Sequence, residues 1–303
     1  MKSIITLCFL FSLNSLAVDC SLFVFVNDVY FVQTNSDQSL AVDVDVYRFN
    51  NHRKCKKYRL GITTGGSGNY SRKLYNGADS VDYNYHKREN SSSPIKDVLD
   101  AQGGQQRVDF KMNGIYKRVT FFARLPDPFS AGNVSTGLYL DTATINIVPR
   151  DGGTTGGYSV NISSYLNVQS DVNISLVERG GQFDPNRTAI TLDYGLMTTG
   201  ETRGFDLVVK SNSGYRISVS SENNGVMSHI SQANFNVGYS FGVNGSSLSL
   251  VGSKLSPIDI FNSSSPSTST GDVIEIDVSI LDTSNKLSGA YSDYIYFTAT
   301  STY

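Results

Sequence analysis

Gly137-Leu138-Tyr139-Leu140-Asp141 and Gly289-Ala290-Tyr291-Ser292-Asp293 are two copies of one pattern, G-x-Y-x-D, set 152 positions apart (137 to 289) in a chain of 303 residues. Each copy runs directly into a β-prone segment. After the first, residues 142–148 alternate apolar and polar from Ala143 on; after the second, residues 294–300 are rich in aromatic and β-branched side chains. A glycine for a tight turn, a tyrosine to anchor it and an aspartate to cap it make a sound entry into a strand. The distance between the copies is one domain length, so the chain reads as two β-domains that each close on the same strand.

The remaining segments agree with that reading. Alternating or β-branched runs at 22–26, 29–32, 40–46, 58–62, 72–75, 81–85, 107–112 and 116–125 fill the first half, and runs at 158–168, 172–177, 190–195, 204–210, 215–220, 237–243, 248–251 and 273–281 fill the second. Gly, Asn and Ser punctuate them, Asn76-Gly77 marks a hairpin turn, and no stretch of ten residues or more carries a helical period. Charged residues at 17 % and aromatics at 11 % without a single Trp fit a polar, turn-rich β-protein. Seven or so short strands per domain predict an all-β chain of two immunoglobulin-like sandwiches in tandem. The expected boundaries are a first domain over 18–148, a Gly-rich linker over 149–157 and a second domain over 158–303. Residues 158–168 have a second reading, as a strand that completes the first domain.

Lys2, an apolar stretch from Ile4 to Leu16, and Ser15-Leu16-Ala17 read as a secretory signal over residues 1–17. The run is too short, and too interrupted by Ser12, Asn14 and Ser15, for a membrane span. Asp19 stands where a lipid anchor on Cys20 would need a small residue. Cleavage removes Cys8 and leaves Cys20 and Cys55, and a pair of cysteines in an exported chain is expected to form one disulfide. Closing a loop of roughly 35 residues is worth about 3–4 kcal/mol by the chain-entropy model. His52, His86 and His229 stand singly, and neither C-x-x-C, H-E-x-x-H nor G-x-S-x-G occurs. The glycines in 63–68 lack the Gly-Lys-Ser/Thr and the following helix of a phosphate loop. No catalytic residue, cofactor or metal is assigned, and the chain is read as non-enzymatic.

Cys55, Tyr58-Arg59-Leu60, Gly65, Gly66 and Gly68, Arg72-Lys73-Leu74, Val81-Asp82-Tyr83-Asn84-Tyr85 and the first G-x-Y-x-D together resemble the spore coat protein U domain family, which also builds the subunits of archaic chaperone–usher pili. The second half is similar in Leu192-Asp193-Tyr194-Gly195, in the 211–216 segment and in the second G-x-Y-x-D, but has no cysteine. The resemblance implies an immunoglobulin-like fold without its final strand. Its apolar groove is filled by an extended segment, first from a periplasmic chaperone and later, through an outer-membrane usher, from the adjacent pilus subunit. The second domain is expected to be open in this way, with Ile295 and Phe297 bordering the groove, because the sequence stops three residues past the last strand (300 to 303).

Ordinary subunits of such pili carry a free donor segment about one strand long ahead of the first strand. Here Cys20 would be the third residue after cleavage, tethered to its own domain. That implies a two-domain tip subunit, exported through the periplasm to an extracellular pilus, whose first domain mediates surface adhesion and biofilm formation. Pro126, Pro128 and Phe129 are the expected apolar contact loop, set against a plain rigid turn with Phe129 in the core. A secreted spore-coat or matrix protein of the same fold stays open as the alternative. Residues 18–150 carry 17 Lys and Arg against 13 Asp and Glu, residues 151–303 carry 7 against 14, and much of the positive excess lies in residues 52–59. Two readings apply to that stretch: lysines guarding a hairpin edge, or a patch that faces anionic surfaces such as polysaccharide or lipid headgroups. The surface expected as a partner is abiotic or anionic. Nucleic acid is not expected as a partner of an exported protein with a pI near 5.9.

Overall fold

The computed structural model describes residues 18–128, 134–151 and 154–302, so the expected signal at 1–17 and Phe129 lie outside the described residues. The chain forms two units, Met1–Pro128 with Leu138–Asn167, and Phe129–Gly137 with Val168–Tyr303. Both are all-β, and among the described residues the only helical structure is two single 3-10 turns, Arg53–Lys56 and Gly65–Ser67. No helix among them is long and apolar enough to cross a membrane.

The first unit holds β1 (Val18–Asp19), β2 (Leu22–Val26), β3 (Val29–Phe31), β4 (Gln38–Arg48), β5 (Lys57–Ile62), β6 (Lys73–Asn76), β7 (Asp79–Asp82), β8 (Asn84–His86), β9 (Val108–Lys111), β10 (Tyr116–Leu125), β11 (Gly137–Pro149), β12 (Thr154–Thr155) and β13 (Tyr158–Val168). Two sheets, in the orders β2-β4-β10-β8 and β3-β13-β11-β5-β9, carry this unit; the hairpin of β6 and β7 joins the second, and β1 and β12 make a separate parallel bridge. The alternation legible in the sequence sets the faces: on β4, Val42, Val44 and Val46 are buried while Ala41, Asp43 and Tyr47 face water. The hairpin turn at Asn76-Gly77 is present, with Gly77 at a φ of 58°.

The structure differs from the expected domain boundary. β13 does not open the second unit; it lies between β11 and β3. Side-chain bonds Thr142 to Ser163, Thr144 to Asn161 and Ser159 to Asn146 step in opposite directions along β11 and β13, so these two strands are antiparallel. β13 and β3 are parallel, with Ser164 opposite Val29 and Leu166 opposite Phe31. Ile162, Leu166 and Val168 are buried in consequence. The expected linker 149–157 therefore falls between two strands of the first unit, and the chain passes to the second unit after Asn167. The edge-guarding reading of residues 52–59 also fails, because β5 is paired on both sides, by β11 and by β9.

Cys20 and Cys55 are joined in a disulfide with a Cα–Cα separation of 5.2 Å and a sequence separation of 35. Deeper in the unit, Arg72 is fully buried. Its guanidinium donates to the carbonyls of Thr63 at 2.8 Å, Ile62 at 2.7 Å and Ile95 at 2.8 Å, bonds Asn84, and lies over the Tyr70 and Tyr85 rings. Loss of water around it pulls the guanidinium below its ordinary pKa, and these bonds are what keep a buried cation tolerable.

The second unit holds β14 (Val172–Val177), β15 (Thr202–Ser211), β16 (Gly214–Ser221), β17 (Val226–His229), β18 (Asn236–Val243), β19 (Ser246–Leu248), β20 (Ile258–Ser263), β21 (Asp272–Ile280), β22 (Tyr291–Ser292) and β23 (Ile295–Thr302). One sheet runs β14-β15-β21-β18-β17-β22 with β19 beside β18, and the other runs β20-β16-β23. Phe205, Leu207 and Val209 of β15, Tyr215, Ile217 and Val219 of β16 and Ile274, Ile276 and Val278 of β21 meet in one core. Residues 190–195 alternate as a strand should, with Ile190 and Leu192 half-buried and Tyr194 buried, yet they join no ladder.

Reduction of the disulfide is expected to lower the unfolding free energy by about 3–4 kcal/mol, read as a lower denaturant midpoint; alkylation without reductant should label neither Cys20 nor Cys55. Arg72→Met, which strands three buried carbonyls, is expected to cost about 3–5 kcal/mol in urea unfolding.

Candidate functional site

The repeated pattern places one carboxylate at the same structural post in each unit. Asp141 accepts hydrogen bonds from the Gly66 amide at 2.8 Å and the Tyr83 hydroxyl at 2.6 Å. Asp293 accepts from the Asn223 amide at 2.9 Å and from the hydroxyls of Ser221 and Tyr239, both at 2.6 Å. These partners are 54 to 75 positions away in sequence, so the aspartate is a long-range latch, not the local turn cap the sequence suggested. Burial above all holds the Tyr83 and Tyr239 phenols well above their usual range, and the bond each makes to its aspartate adds to this, so both remain donors. The glycine is required as expected: Gly289 sits at a φ of 154° with the His229 ring where a Cβ would stand.

Because both copies are fixed in this way, the strands that follow can be compared position by position. In β11, Ala143, Ile145 and Ile147 are buried to 0–1 % exposure. Their counterparts one repeat on, Ile295, Phe297 and Ala299 of β23, are only half-buried, and no residue of β23 is fully buried. The neighbour makes the difference. β11 has β13 along one side and β5 along the other, whereas among the described residues β23 pairs with β16 alone and is a sheet edge.

Ile295 and Phe297, the two groove residues named from the sequence, are thus both inward-facing on that edge. The Phe297 ring stands 6.0 Å from Phe205 and 6.4 Å from Phe241, in contact with the core but uncovered on its other side. The strip continues beyond what the sequence indicated. Val172, Ile174 and Leu176 on β14, the edge of the other sheet, are half-buried against the same core, as are Ile190 and Leu192. β14 and β23 meet without a backbone ladder, Ser170 donating to Ser301 at 3.2 Å. No backbone hydrogen bond among the described residues engages 188–192. Alternation in 190–194 was the available signal, but a strand without a partner has the same sequence pattern as one with a partner.

An open edge beside a half-covered apolar strip can do one thing well: take an extended segment whose backbone pairs with β23 and whose alternate side chains complete the core. The strip has no catalytic or metal-binding character, and among the described residues no group of three His, Cys, Asp or Glu is placed to hold a metal ion. The three histidines are each hydrogen-bonded, His52 to the Lys54 amide, His86 to the Ser93 carbonyl and His229 to the Ser231 amide. In the first unit, Pro126 is exposed and edges a polar cleft of about 420 Å³ lined by Asp37, Asn84, His86 and Arg124. Pro128 is buried, so its ring is not presented to a partner.

Comparison with known proteins adds the following. No curated protein sequence matches the chain. Among solved structures, the chain is similar to one in the pre-assembly complex of the chaperone CsuC with the tip adhesion subunit CsuE, from archaic chaperone–usher Csu pili of Acinetobacter baumannii; identity is 14 %, coverage 91 % of this chain and 99 % of that one, and TM-score 0.45. It is also similar to CfaE, the adhesive subunit of CFA/I fimbria of enterotoxigenic Escherichia coli, at 14 % identity, 91 % and 92 % coverage and TM-score 0.42. The CupB6 tip adhesin of Pseudomonas aeruginosa aligns at 11 % identity over 95 % of both chains, with TM-score 0.39. The side chains that build the Arg72 and Asp141 networks all lie within residues 25–146, and that segment matches the Spore Coat Protein U domain.

Proposed function

We propose that the chain is a non-catalytic subunit of a chaperone–usher pilus, with a self-complete first unit that adheres and an open second unit that accepts a strand. One observation carries this reading: positions buried in β11 are half-open in β23, and the strand present beside one is missing beside the other. The Spore Coat Protein U match supports it from the sequence side, since the match ends inside β11, before the strand that fills the first unit. A periplasmic chaperone would supply the strand during export, and the adjacent subunit would replace it at the outer-membrane usher.

Position at the tip follows from where the N-terminal residues are used. Leu22, Val24, Val29 and Phe31 are buried in their own unit and Cys20 is bonded to Cys55, so residues 20–31 are committed to that unit and not free to enter a neighbour. A subunit that accepts a strand and keeps its own first strands in place suits the end of the polymer.

A synthetic peptide of alternating apolar residues should raise the thermal midpoint of the second unit, with a stabilisation of about 2.7 kcal/mol at a hundredfold excess over its dissociation constant. Phe297→Asp should remove the shift and leave the first unit's unfolding unchanged; a second unit indifferent to every such peptide sinks the strand-acceptor reading. Immunogold against the first unit should mark fibre ends. Label along the whole shaft overturns the tip assignment, and label on a cell or spore coat without fibres favours the coat protein instead.

A further inference from the structure

One end of the first unit combines exposed apolar side chains with cations that have no counter-ion. Phe49, just past β4, is 76 % exposed, and Ile115, just before β10, is 67 % exposed. They are neighbours, because the Arg48 amide donates to the Ile115 carbonyl at 2.9 Å. Arg53 and Lys54 of the 3-10 turn, Lys111 at the end of β9 and Lys117 on β10 are exposed around them. The Met112 amide donates to the Lys56 carbonyl at 2.8 Å, and Lys57 pairs in register with Lys111, so these segments form one continuous surface. Among the described residues no carboxylate lies within ion-pair distance of Arg53, Lys54, Lys111 or Lys117; Lys57 alone of this group has one, Asp151 at 3.9 Å.

The surface is also built to hold its shape. Arg48 is buried beneath it, donating to the Cys55 carbonyl at 2.9 Å and to Asn51, and the Cys20–Cys55 disulfide fixes the same turn. All three points where the chain leaves or re-enters the unit, after Pro128, before Leu138 and after Asn167, are at the opposite ends of β10, β11 and β13. Since β5 is not a sheet edge, guarding an edge does not account for Arg53 and Lys54, and Lys117 lies on β10, which is paired on both sides by β4 and β8; Lys111 alone stands on an edge strand, β9.

We infer that this end of the first unit is a docking surface for a lipid bilayer bearing anionic headgroups, with Phe49 and Ile115 entering the interface and Arg53, Lys54, Lys111 and Lys117 meeting the phosphates. Unpaired cations supply long-range attraction to negative charge, and a bulky apolar pair at their centre gains free energy only from a partner with an apolar interior. An anionic polysaccharide would satisfy the cations and leave Phe49 and Ile115 in water. The inference rests on the first unit being the adhesive part, and it does not involve the β23 groove.

The chain contains no Trp, so Phe49→Trp in the full-length mature protein is a single reporter at the contact. Its emission should shift to the blue with phosphatidylcholine vesicles containing about one-third phosphatidylglycerol, not with phosphatidylcholine alone, and the shift should fade as salt rises from about 0.05 to about 0.5 M. In vesicle co-sedimentation of the otherwise wild-type chain, Lys54→Gln and Lys117→Gln should each weaken binding about fivefold, Phe49→Ser with Ile115→Ser should abolish it, and Lys286→Glu in the second unit should change nothing. Equal binding to neutral vesicles, no binding, or binding to a soluble polyanion such as polygalacturonate that is insensitive to Phe49→Ser overturns the proposal. Because the assay reads only the first unit, a failure here is distinguishable from a failure of the strand-acceptor reading, which the peptide experiment tests.

Discussion

Backbone pairing along one side of the strand that follows G-x-Y-x-D decides the state of each unit. An inner strand of a sandwich is covered when a neighbour satisfies its outward amides and carbonyls and that neighbour's side chains close the core beneath it. β11 has such a neighbour in β13, and Ala143, Ile145 and Ile147 are buried. β23 lacks one, and the same three positions one repeat later stay half-open. Sequence differences between the two strands do not explain the contrast, since Ile295 and Phe297 are at least as apolar as Ala143 and Ile145. The geometry of the neighbour does.

What makes the two strands comparable is the aspartate latch. Asp141 and Asp293 each gather a tyrosine hydroxyl and a loop amide from distant parts of their own unit, and so fix the start of the strand against the opposite sheet. Around Asp141 the buried Arg72 extends the arrangement by holding the carbonyls of Ile62, Thr63 and Ile95, so the glycine-rich turn at 65–68 is pinned from both sides. Such polar networks inside a sandwich specify one arrangement of strands because any other leaves several groups unsatisfied.

The sequence made much of this legible. Alternation located most of the longer strands but missed β17 and β20 and marked 190–195, which joins no ladder; the repeat identified the two closing strands, and export plus a single cysteine pair anticipated the disulfide. The domain boundary was not legible, for a physical reason: Gly152, Gly153, Gly156 and Gly157 suit a hairpin loop as well as an interdomain linker, and composition does not say whether the strands on either side of a loop pair. The last crossing, after Asn167, has no such compositional mark. The strip on β14 and at 190–192 was missed because half-burial depends on which partner is absent, and each segment read alone is an ordinary strand. The basic stretch 52–59 could not be weighed until β5 was known to lie inside its sheet.

The loop between β11 and β13 also separates the two units by molecularity. β13 is tethered to the strand it covers by a few residues, so its local concentration beside β11 is fixed by the chain and the first unit closes at any dilution. A segment arriving at β23 on the proposed reading comes from another molecule, and completion of the second unit becomes a second-order event whose pace follows supply. One polypeptide would then contain a sandwich that matures on its own clock and another that waits for its surroundings.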